Sequence, residues 1–340
     1  MPRGMNPSVT RSALLYAVLA ACSAVASACG GGSGKSRATT DTAARDRQRV
    51  SVPARPGPLR ARVAGVLPAA VQLPAVALLP GGRLLVVGGL DATDVAVPTV
   101  TTMTRSRSTV LGDLPQPVHD AAGATLDGRA YVFGGGVGEA GSDAIVSIQS
   151  TGRAGTAGRL PMPASDVSAA VVGSTAYVVG GYTGTTGLRS IVSFRPGAGA
   201  RVVGRLPVSL RYPAVAAVDG RILIAGGTSG VVPQRAVMSF DPTTHRVTRL
   251  GELSHSLTHA AGASLNGTFY VIGGRSASPT SQTGTILGID PRTGRAYPAG
   301  RLPHPLSDAA AVTDGARVLL VGGRDPTTAR AEVLALEPAP

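Results

Sequence analysis

The chain has no tryptophan, two cysteines and few aromatic residues of any kind. Only 3% of its 340 residues are aromatic, and both cysteines, Cys22 and Cys29, precede residue 30. Chemistry that depends on a cysteine side chain is therefore excluded from the rest of the chain. Proteins that bind nucleic acid carry recognisable basic and aromatic motifs, and no such motif is present. We expect no nucleic acid partner.

Acidic residues and lysine are also scarce. The chain has 32 basic and 19 acidic residues, Lys35 is the only lysine, and the formal net charge is +13. Residues 1–62 hold ten basic and two acidic side chains, whereas residues 63–340 hold 22 and 17. The larger part of the chain is therefore only mildly basic. A coding bias toward Ala, Gly and Arg accounts for most of the high isoelectric point.

Glycine is plentiful, and it marks an internal repeat. Six times along the chain an apolar run ends on two glycines. The first glycines of these pairs are Gly88, Gly134, Gly180, Gly226, Gly273 and Gly322. They are 46, 46, 46, 47 and 49 residues apart, and a Leu-Pro step keeps the same phase in most copies. A period this regular indicates an array of one supersecondary unit.

Each repeat contains signals for four short strands. Tight turns such as Asp127-Gly128 and Asn266-Gly267 connect a first run of small residues to the apolar run, which is a strong hairpin signal. A third run follows the glycines, and a fourth ends at the next Leu-Pro step. Four strands per repeat match a propeller blade. We therefore predict an all-β fold, a six-bladed β-propeller with four-stranded blades.

The double glycine after an apolar strand, in units of this length, resembles the Kelch repeat. The resemblance covers roughly residues 60–340 and implies Kelch-type blades. Members of this family usually carry a tryptophan on the outer strand, and here Tyr297 is the largest residue in that place. Copper-radical oxidases share this type of propeller but need a cysteine that forms a thioether. That enzyme is excluded, and we expect no cofactor.

The last blade needs a strand from elsewhere in the chain. The sixth copy ends after its third strand, VLALEP at 333–338, whereas LRARVAGVLP at 59–68 resembles the fourth strands of the other copies. We predict that this N-terminal segment closes the last blade, which removes the free edge of an open array. The propeller then spans residues 59–340, and we expect it to be a monomer.

Residues 1–28 have the pattern of an export signal. Arg3 and Arg11 precede an almost wholly apolar stretch at 12–28, which is typical of a secretory signal and short for a membrane span. The residues that end at Cys22 resemble a bacterial lipobox, in which the cysteine is lipidated. Cys29 is the alternative lipidation site. A third possibility is plain secretion, with cleavage after Ala28 and no lipid. We expect an exported protein, held on the outer face of the cell membrane as a lipoprotein or secreted.

Residues 29–58 link this signal to the propeller. They are rich in Gly, Ser, Thr, Arg and Pro and contain almost no apolar side chains. This composition predicts a disordered basic tether, which suits anionic lipid headgroups or wall polymers. The sequence GGSGKS at 31–36 resembles a phosphate-binding loop, but no strand precedes it. We therefore do not predict a nucleotide site there.

The candidate site is the mouth of the propeller channel. Polar residues recur where the first strand of each repeat begins, and others follow the double glycines. The candidate ligand-binding residues are His119, Asp120, Asp166, Arg211, Tyr212, His259, Asp308, Arg275 and Arg324. The alternative is that the three aspartates cap their strands through Asx-type hydrogen bonds. Because the histidines and aspartates come from different blades, without a local ligand spacing, we predict no metal site.

Two functions fit such a mouth. The first is a surface-tethered binding module, because carboxylate, imidazole, guanidinium and phenol groups around a shallow pit suit a polar ligand, here a glycan or an envelope protein. The alternative is a sugar epimerase or mutarotase, since some periplasmic Kelch-type propellers act on sialic acid. That reaction would need an acid and a base across the pit, with His119 or His259 opposite Asp308 or Asp166.

Overall fold

The computed structural model describes residues 57–339. Residues Ala54–Pro340 form one compact unit, and the described part of it contains strands and turns but no helix. Accordingly, no helix among residues 57–339 could cross a membrane. The predicted signal at 1–28, the candidate lipidation sites Cys22 and Cys29, and nearly all of the tether at 29–58 lie outside the described residues.

After an N-terminal strand, β1 (Leu59–Val66), the chain builds its blades in sequence order. Blade one contains β2 (Ala75–Leu79), β3 (Arg83–Val87), β4 (Thr99–Thr104) and β5 (Arg107–Asp113). Blade two contains β6 (Ala122–Leu126), β7 (Arg129–Phe133), β10 (Ala144–Ile148) and β11 (Ala154–Arg159), with a small hairpin, β8 (Gly136–Val137) and β9 (Ala140–Gly141), after its second strand. Blade three contains β12 (Ser168–Val172), β13 (Thr175–Val179), β14 (Ser190–Arg195) and β15 (Gly199–Arg205).

The second half of the propeller repeats this arrangement. Blade four contains β16 (Ala214–Val218), β17 (Arg221–Ala225), β20 (Ala236–Asp241) and β21 (Arg246–Glu252), with a small hairpin of β18 (Thr228–Ser229) and β19 (Val232–Pro233). Blade five contains β22 (Ala261–Leu265), β23 (Thr268–Ile272), β24 (Thr285–Ile289) and β25 (Ala296–Arg301). Blade six contains β26 (Ala310–Asp314), β27 (Arg317–Val321) and β28 (Glu332–Pro338). The predicted all-β fold with six four-stranded blades is confirmed.

The first strands form the inner wall of the ring. Each packs beside the first strand of the next blade, and β26 packs beside β2 to complete the circle. Small residues are required there because the backbones approach closely. A Cβ at Gly123 would overlap the backbone of Val76 in the neighbouring first strand. Apolar side chains fill the six spaces between adjacent blades, so the hydrophobic core is divided into six similar parts.

The double glycines join each blade to the next. Gly88 has a φ of 61°, and a Cβ on it would overlap the carbonyl oxygen of Val118 in blade two. The N–H of Gly89 donates to the same carbonyl at 2.8 Å. Both the positive φ and the close approach favour glycine. The last pair closes the ring, because the Gly323 N–H donates to the carbonyl of Val71 at 2.9 Å.

The N-terminal strand completes blade six, as the sequence predicts. β1 pairs antiparallel with β28, from Leu59 opposite Pro338 to Val66 opposite Glu332. A bulge shifts the register between Val63 and Gly65, and the third and fourth strands of the other five blades have an equivalent irregularity. β1 is therefore a true fourth strand. At Leu59, which is buried, it also pairs with β25 of blade five.

The two ends of the strands define two faces. The hairpin face holds the turns between first and second strands and between third and fourth strands. The mouth face holds the loops from second to third strands and the connections from each fourth strand to the next blade. The candidate residues predicted from sequence all belong to segments of the mouth face.

Candidate functional site

One residue of each blade stands at the start of the first strand in the left-handed region of backbone space. These residues are Leu73, Asp120, Asp166, Tyr212, His259 and Asp308, with φ between 52° and 62°. For residues other than glycine this conformation costs on the order of 1 kcal/mol or more, and it is rare for bulky side chains. Its recurrence in all six blades shows that the geometry of the mouth is built into the repeat.

Backbone hydrogen bonds link these residues around the axis. The N–H of Leu73 donates to the carbonyl of Asp308 at 2.7 Å, and the N–H of Asp120 donates to the carbonyl of Leu73 at 3.2 Å. Tyr212 donates in the same way to Asp166, and Asp308 to His259, both at 3.0 Å. The backbone groups at the mouth are thus largely paired with one another, so recognition of a ligand falls to the side chains.

The same six residues line a cavity of about 130 Å³ at the axis, together with parts of the first strands. Five of the nine residues predicted from sequence therefore face the cavity. They are Asp120, Asp166, Tyr212, His259 and Asp308. The other four predicted residues do not line it. His119, Arg211, Arg275 and Arg324 stand beside it instead, and three of them contact a residue of the cavity wall.

Asp120 is the least satisfied of the carboxylates. It is only 8% exposed, and one of its oxygens, Oδ2, lies 2.6 Å from Nδ1 of His119. The other oxygen, Oδ1, is buried and has no hydrogen-bond partner. Burial, reinforced by the carboxylates of Asp166 and Asp308, raises the pKa of Asp120 to about 6. The hydrogen bond to Asp120 in turn raises the pKa of His119.

Asp166 and Arg211 form a direct charge pair at the mouth. The Arg211 Nε donates to Oδ2 of Asp166, whose side chain is almost fully buried. The guanidinium carbon of Arg211 lies 4.1 Å from the ring centroid of Tyr182, which is cation–π geometry. Arg211 therefore belongs to blade four but contacts blade three through two different side chains. This pair fixes the position of the only guanidinium that bonds directly to a cavity carboxylate among residues 57–339.

His259 is a neutral imidazole with a defined tautomer. Burial, together with the charges of Arg275 and Arg211, lowers its pKa to about 2. Arg275 Nη2 lies 3.0 Å from Nε2, and because a guanidinium can only donate, Nε2 accepts and the proton is on Nδ1. Nδ1 then donates to the hydroxyl of Thr258 at 3.0 Å. The ring also stacks on Tyr212, with centroids 3.7 Å apart.

Asp308 completes the cavity wall. It accepts a hydrogen bond from the hydroxyl of Ser307, and burial raises its pKa. His259 Nε2 is 3.8 Å from Asp308 Oδ1, but a neutral imidazole whose Nε2 already accepts from Arg275 makes no ion pair with it. Arg324 bonds to Asp94 at 2.9 Å across the junction of blades six and one. The repeat pattern does not single out Asp94, because it lies in the variable loop between β3 and β4 of blade one.

The aspartates do not cap their strands in the way that the alternative interpretation requires. The hydrogen bonds of Asp120, Asp166 and Asp308 go to the side chains of His119, Arg211 and Ser307. Asx-type turns do occur nearby, at Asp91 and Asp325, whose Oδ1 atoms accept from backbone N–H groups two to four residues ahead. Within residues 57–339, no three His, Cys, Asp or Glu side chains are grouped so that they could hold a metal ion.

Comparisons with known proteins agree with this architecture. A family model described as the Kelch motif matches residues 209–254, which contain blade four. No curated protein matches the chain. A solved structure described as the structure of YjhT matches with a TM-score of 0.70 and 16% identity, over 81% of this chain and 97% of that chain. Identity this low carries the fold and nothing further.

The structural match, the motif match and the six double-glycine repeats concern the same region of the chain. A Kelch-repeat propeller suggests an interaction module, because its loops present side chains from every blade on one face. In fold and in repeat, the chain is a Kelch-repeat β-propeller.

Proposed function

We propose that the protein is a binding module of the cell envelope whose channel mouth recognises a glycan through the hydroxyl groups of a sugar residue. The observation that carries this proposal is the unpartnered Oδ1 of Asp120, which is buried in the wall of the axial cavity. A buried acceptor without a donor is costly, and a ligand that supplies the donor recovers that cost.

The surroundings of Asp120 favour a hydroxyl donor over an anion. Asp120, Asp166 and Asp308 place three carboxyl groups around one small cavity, which disfavours a negatively charged group there. Arg211 and Arg275, beside the cavity, donate to Asp166 and His259 of its wall, and a guanidinium has further N–H groups that can donate to a ligand. A hydroxyl group both donates and accepts, so neighbouring hydroxyls of a sugar ring satisfy carboxylate and guanidinium groups together.

The size of the cavity limits what it encloses. At about 130 Å³ it is smaller than pockets that bury a whole drug-sized ligand, which measure roughly 300–1,000 Å³. The cavity therefore takes part of one sugar residue, and the loops of the mouth face contact the rest of the ligand. This arrangement fits the end or a side branch of a glycan better than a continuous polymer lying across the face.

The test is binding of the full chain to a glycan panel, with an envelope-protein and peptide panel as the competing arm. Asp120→Asn keeps the shape of the side chain but removes the charge, and we expect it to weaken glycan binding at least tenfold, or about 1.4 kcal/mol. Asp127→Asn is the matched control, because Asp127 also has a positive φ but lies exposed on the hairpin face. Equal affinities of the two variants, or binding only to proteins, would refute the glycan proposal.

We do not propose the catalytic alternative. A mutarotase or epimerase would need an acid and a base on opposite sides of the sugar. His259 and Asp308 stand side by side, and both nitrogens of His259 are engaged, by Arg275 and Thr258. His119 is bonded to the adjacent Asp120 and does not line the cavity. None of these contacts favours an acid and base pair across the pit.

The place of the protein in the cell is part of the same proposal. The N-terminal signal, with lipidation at Cys22 or Cys29, would hold the module at the outer face of the cell membrane, where envelope glycans are found. This part depends on the sequence pattern of residues 1–58 alone.

A further inference from the structure

The charge of the propeller is divided unequally between its two faces. Residues 59–338 contain 24 arginines and 17 carboxylates. When each is assigned to the nearer end of its strand, 14 arginines and 6 carboxylates lie on the hairpin side, and 10 and 11 lie on the mouth side. The hairpin side therefore carries a charge of +8 and the mouth side −1. The whole positive excess of the domain belongs to one face.

Part of this positive excess comes from arginines that recur at one position of the repeat. In four blades the second strand begins, at the hairpin face, with an arginine: Arg83, Arg129, Arg221 and Arg317. These strands are otherwise apolar and buried between blades. The first residue of each of these strands therefore places one guanidinium group on the hairpin face.

The turns between third and fourth strands add a second, outer set of guanidinium groups. It consists of Arg105, Arg107, Arg153, Arg246, Arg292 and Arg295. All six are exposed, and their side chains form no hydrogen bond or ion pair with any residue in 57–339. Arg105 and Arg107 border a shallow cavity of about 690 Å³ together with Arg317, at the junction of blades one and six. These groups are free to bind an external anion.

No carboxylate of the hairpin side forms an ion pair with this outer set, although Asp290 lies in the same turn as Arg292 and Arg295. Asp241 pairs with Arg221, Asp314 with Arg317, and Glu337 with Arg62. These pairs involve the inner arginines and the closing strand. The turns that carry Arg105, Arg107 and Arg153 contain no carboxylate of their own, so their positive charge stays unpaired.

The N-terminal segment joins the propeller at this face. β1 begins at Leu59 on the hairpin side, and just before it the carbonyl of Pro58 accepts a hydrogen bond from the N–H of Ala339 at 2.9 Å. Any anchor carried by the preceding residues would therefore be attached on the side that bears the positive charge.

We propose that the hairpin face is a docking surface for a membrane rich in anionic phospholipid, with the exposed turn arginines bound to lipid phosphates. Guanidinium groups bind phosphate in two-point geometry, and basic residues near an anionic membrane contribute about 1 kcal/mol each. The opposite, nearly neutral mouth face is then directed away from the lipid. This proposal is independent of the ligand proposed for the mouth.

The test compares two double charge reversals in the full chain, both made with Cys22→Ser and Cys29→Ser so that lipidation does not contribute. Arg105→Glu/Arg107→Glu changes the hairpin face. Arg205→Glu/Arg301→Glu is the matched control, because these arginines end fourth strands on the mouth side and are exposed, and their side chains form no hydrogen bond or ion pair within 57–339. Both variants change the net charge by the same amount. Cosedimentation with phosphatidylglycerol-containing vesicles measures binding, and neutral phosphatidylcholine vesicles report the part that does not depend on lipid charge. The N-terminal segment is identical in both variants, so its own charge contributes equally to each.

We expect the hairpin variant to bind anionic vesicles about thirtyfold more weakly than the parent, which corresponds to about 2 kcal/mol, and the control to change less than threefold. Binding should also fall steeply with added salt. Equal losses of vesicle binding in both variants would mean that only net charge matters, and this would overturn the proposal. Unchanged vesicle binding of the hairpin variant would also overturn it, provided that its melting temperature shows that the variant is folded. A soluble polyglycerol phosphate is the competing ligand. If the hairpin variant loses binding to this polymer but still binds vesicles like the parent, the hairpin face binds a wall polymer and the membrane proposal is wrong.

Discussion

The closing strand offers the sharpest test of the architecture. Deleting residues 1–66 removes β1, whereas deleting residues 1–50 leaves it in place. Leu59 is only 2% exposed, in a core shared by blades five and six, and its burial is worth about 2–3 kcal/mol. The longer deletion also exposes Leu334 and Leu336 of β28, which are buried in the intact domain. Their exposure lowers the free energy of unfolding by a comparable further amount.

Together these terms give a destabilisation of about 5 kcal/mol, a large share of the stability of an ordinary domain. For a domain of this size it corresponds to a melting temperature lower by about 8 °C. Thermal unfolding followed by circular dichroism compares the two deletions directly. Equal melting temperatures would refute the closure of blade six by β1.

Point substitutions in the same strand provide a control that keeps the chain length. Leu59→Ala should cost about 2–4 kcal/mol, because it leaves a cavity in the core between blades five and six. Val63→Thr should change stability by no more than about 0.5 kcal/mol, because Val63 is 56% exposed and threonine keeps the β-branched shape. Similar losses for both would mean that β1 acts through its backbone alone.

Three further predictions concern other parts of the chain. Replacing both Cys22 and Cys29 by serine should move the protein from the membrane fraction to the soluble extracytoplasmic fraction; if it stays with the membrane, a lipid anchor is not what holds it. Gly134→Ala should destabilise the fold by several kcal/mol, because the added Cβ would overlap a carbonyl of the next blade, whereas Gly138→Ala, with a similar φ but open space around it, should cost about 1 kcal/mol; denaturant midpoints separate the two. Because burial raises the pKa of Asp120 to about 6, the native state still binds a proton that the unfolded chain has already released. Stability should therefore fall as pH rises from about 4 to 6, and Asp120→Asn should flatten this fall in denaturation curves taken across that range.

The repeat made the fold predictable. Each double glycine satisfies two local demands, a positive φ and contact with the next blade, so its position marks the end of a strand whatever the surrounding side chains are. The closing strand was predictable because the segment at 59–68 repeats the pattern of the other fourth strands, including the glycine at Gly65 beside the bulge. The small hairpins β8–β9 and β18–β19 were not, because two-residue pairings leave no periodic signal.

The site was predictable in position but not in its contacts. The register of the repeat places Asp120, Asp166 and Asp308 at the mouth, as the sequence predicts. The left-handed backbone at these positions turns each residue toward the axis and its predecessor away from it, which no composition rule reveals. For this reason His119 and Arg211 bond to cavity carboxylates and do not line the cavity themselves.

The pairing of β1 with β28 also dictates the order in which the molecule can be finished. Arg62 and Glu337, which bond across these strands, are 275 positions apart in the chain. During synthesis the first strand made must wait for the last, while the blades between them assemble from neighbours close in sequence. The ring stays open until β28 is available, so its final stability is gained in one late step of long-range contact formation. A chain held up before that point would expose the apolar faces of blades one and six, the two blades that pack together only when the circle is complete.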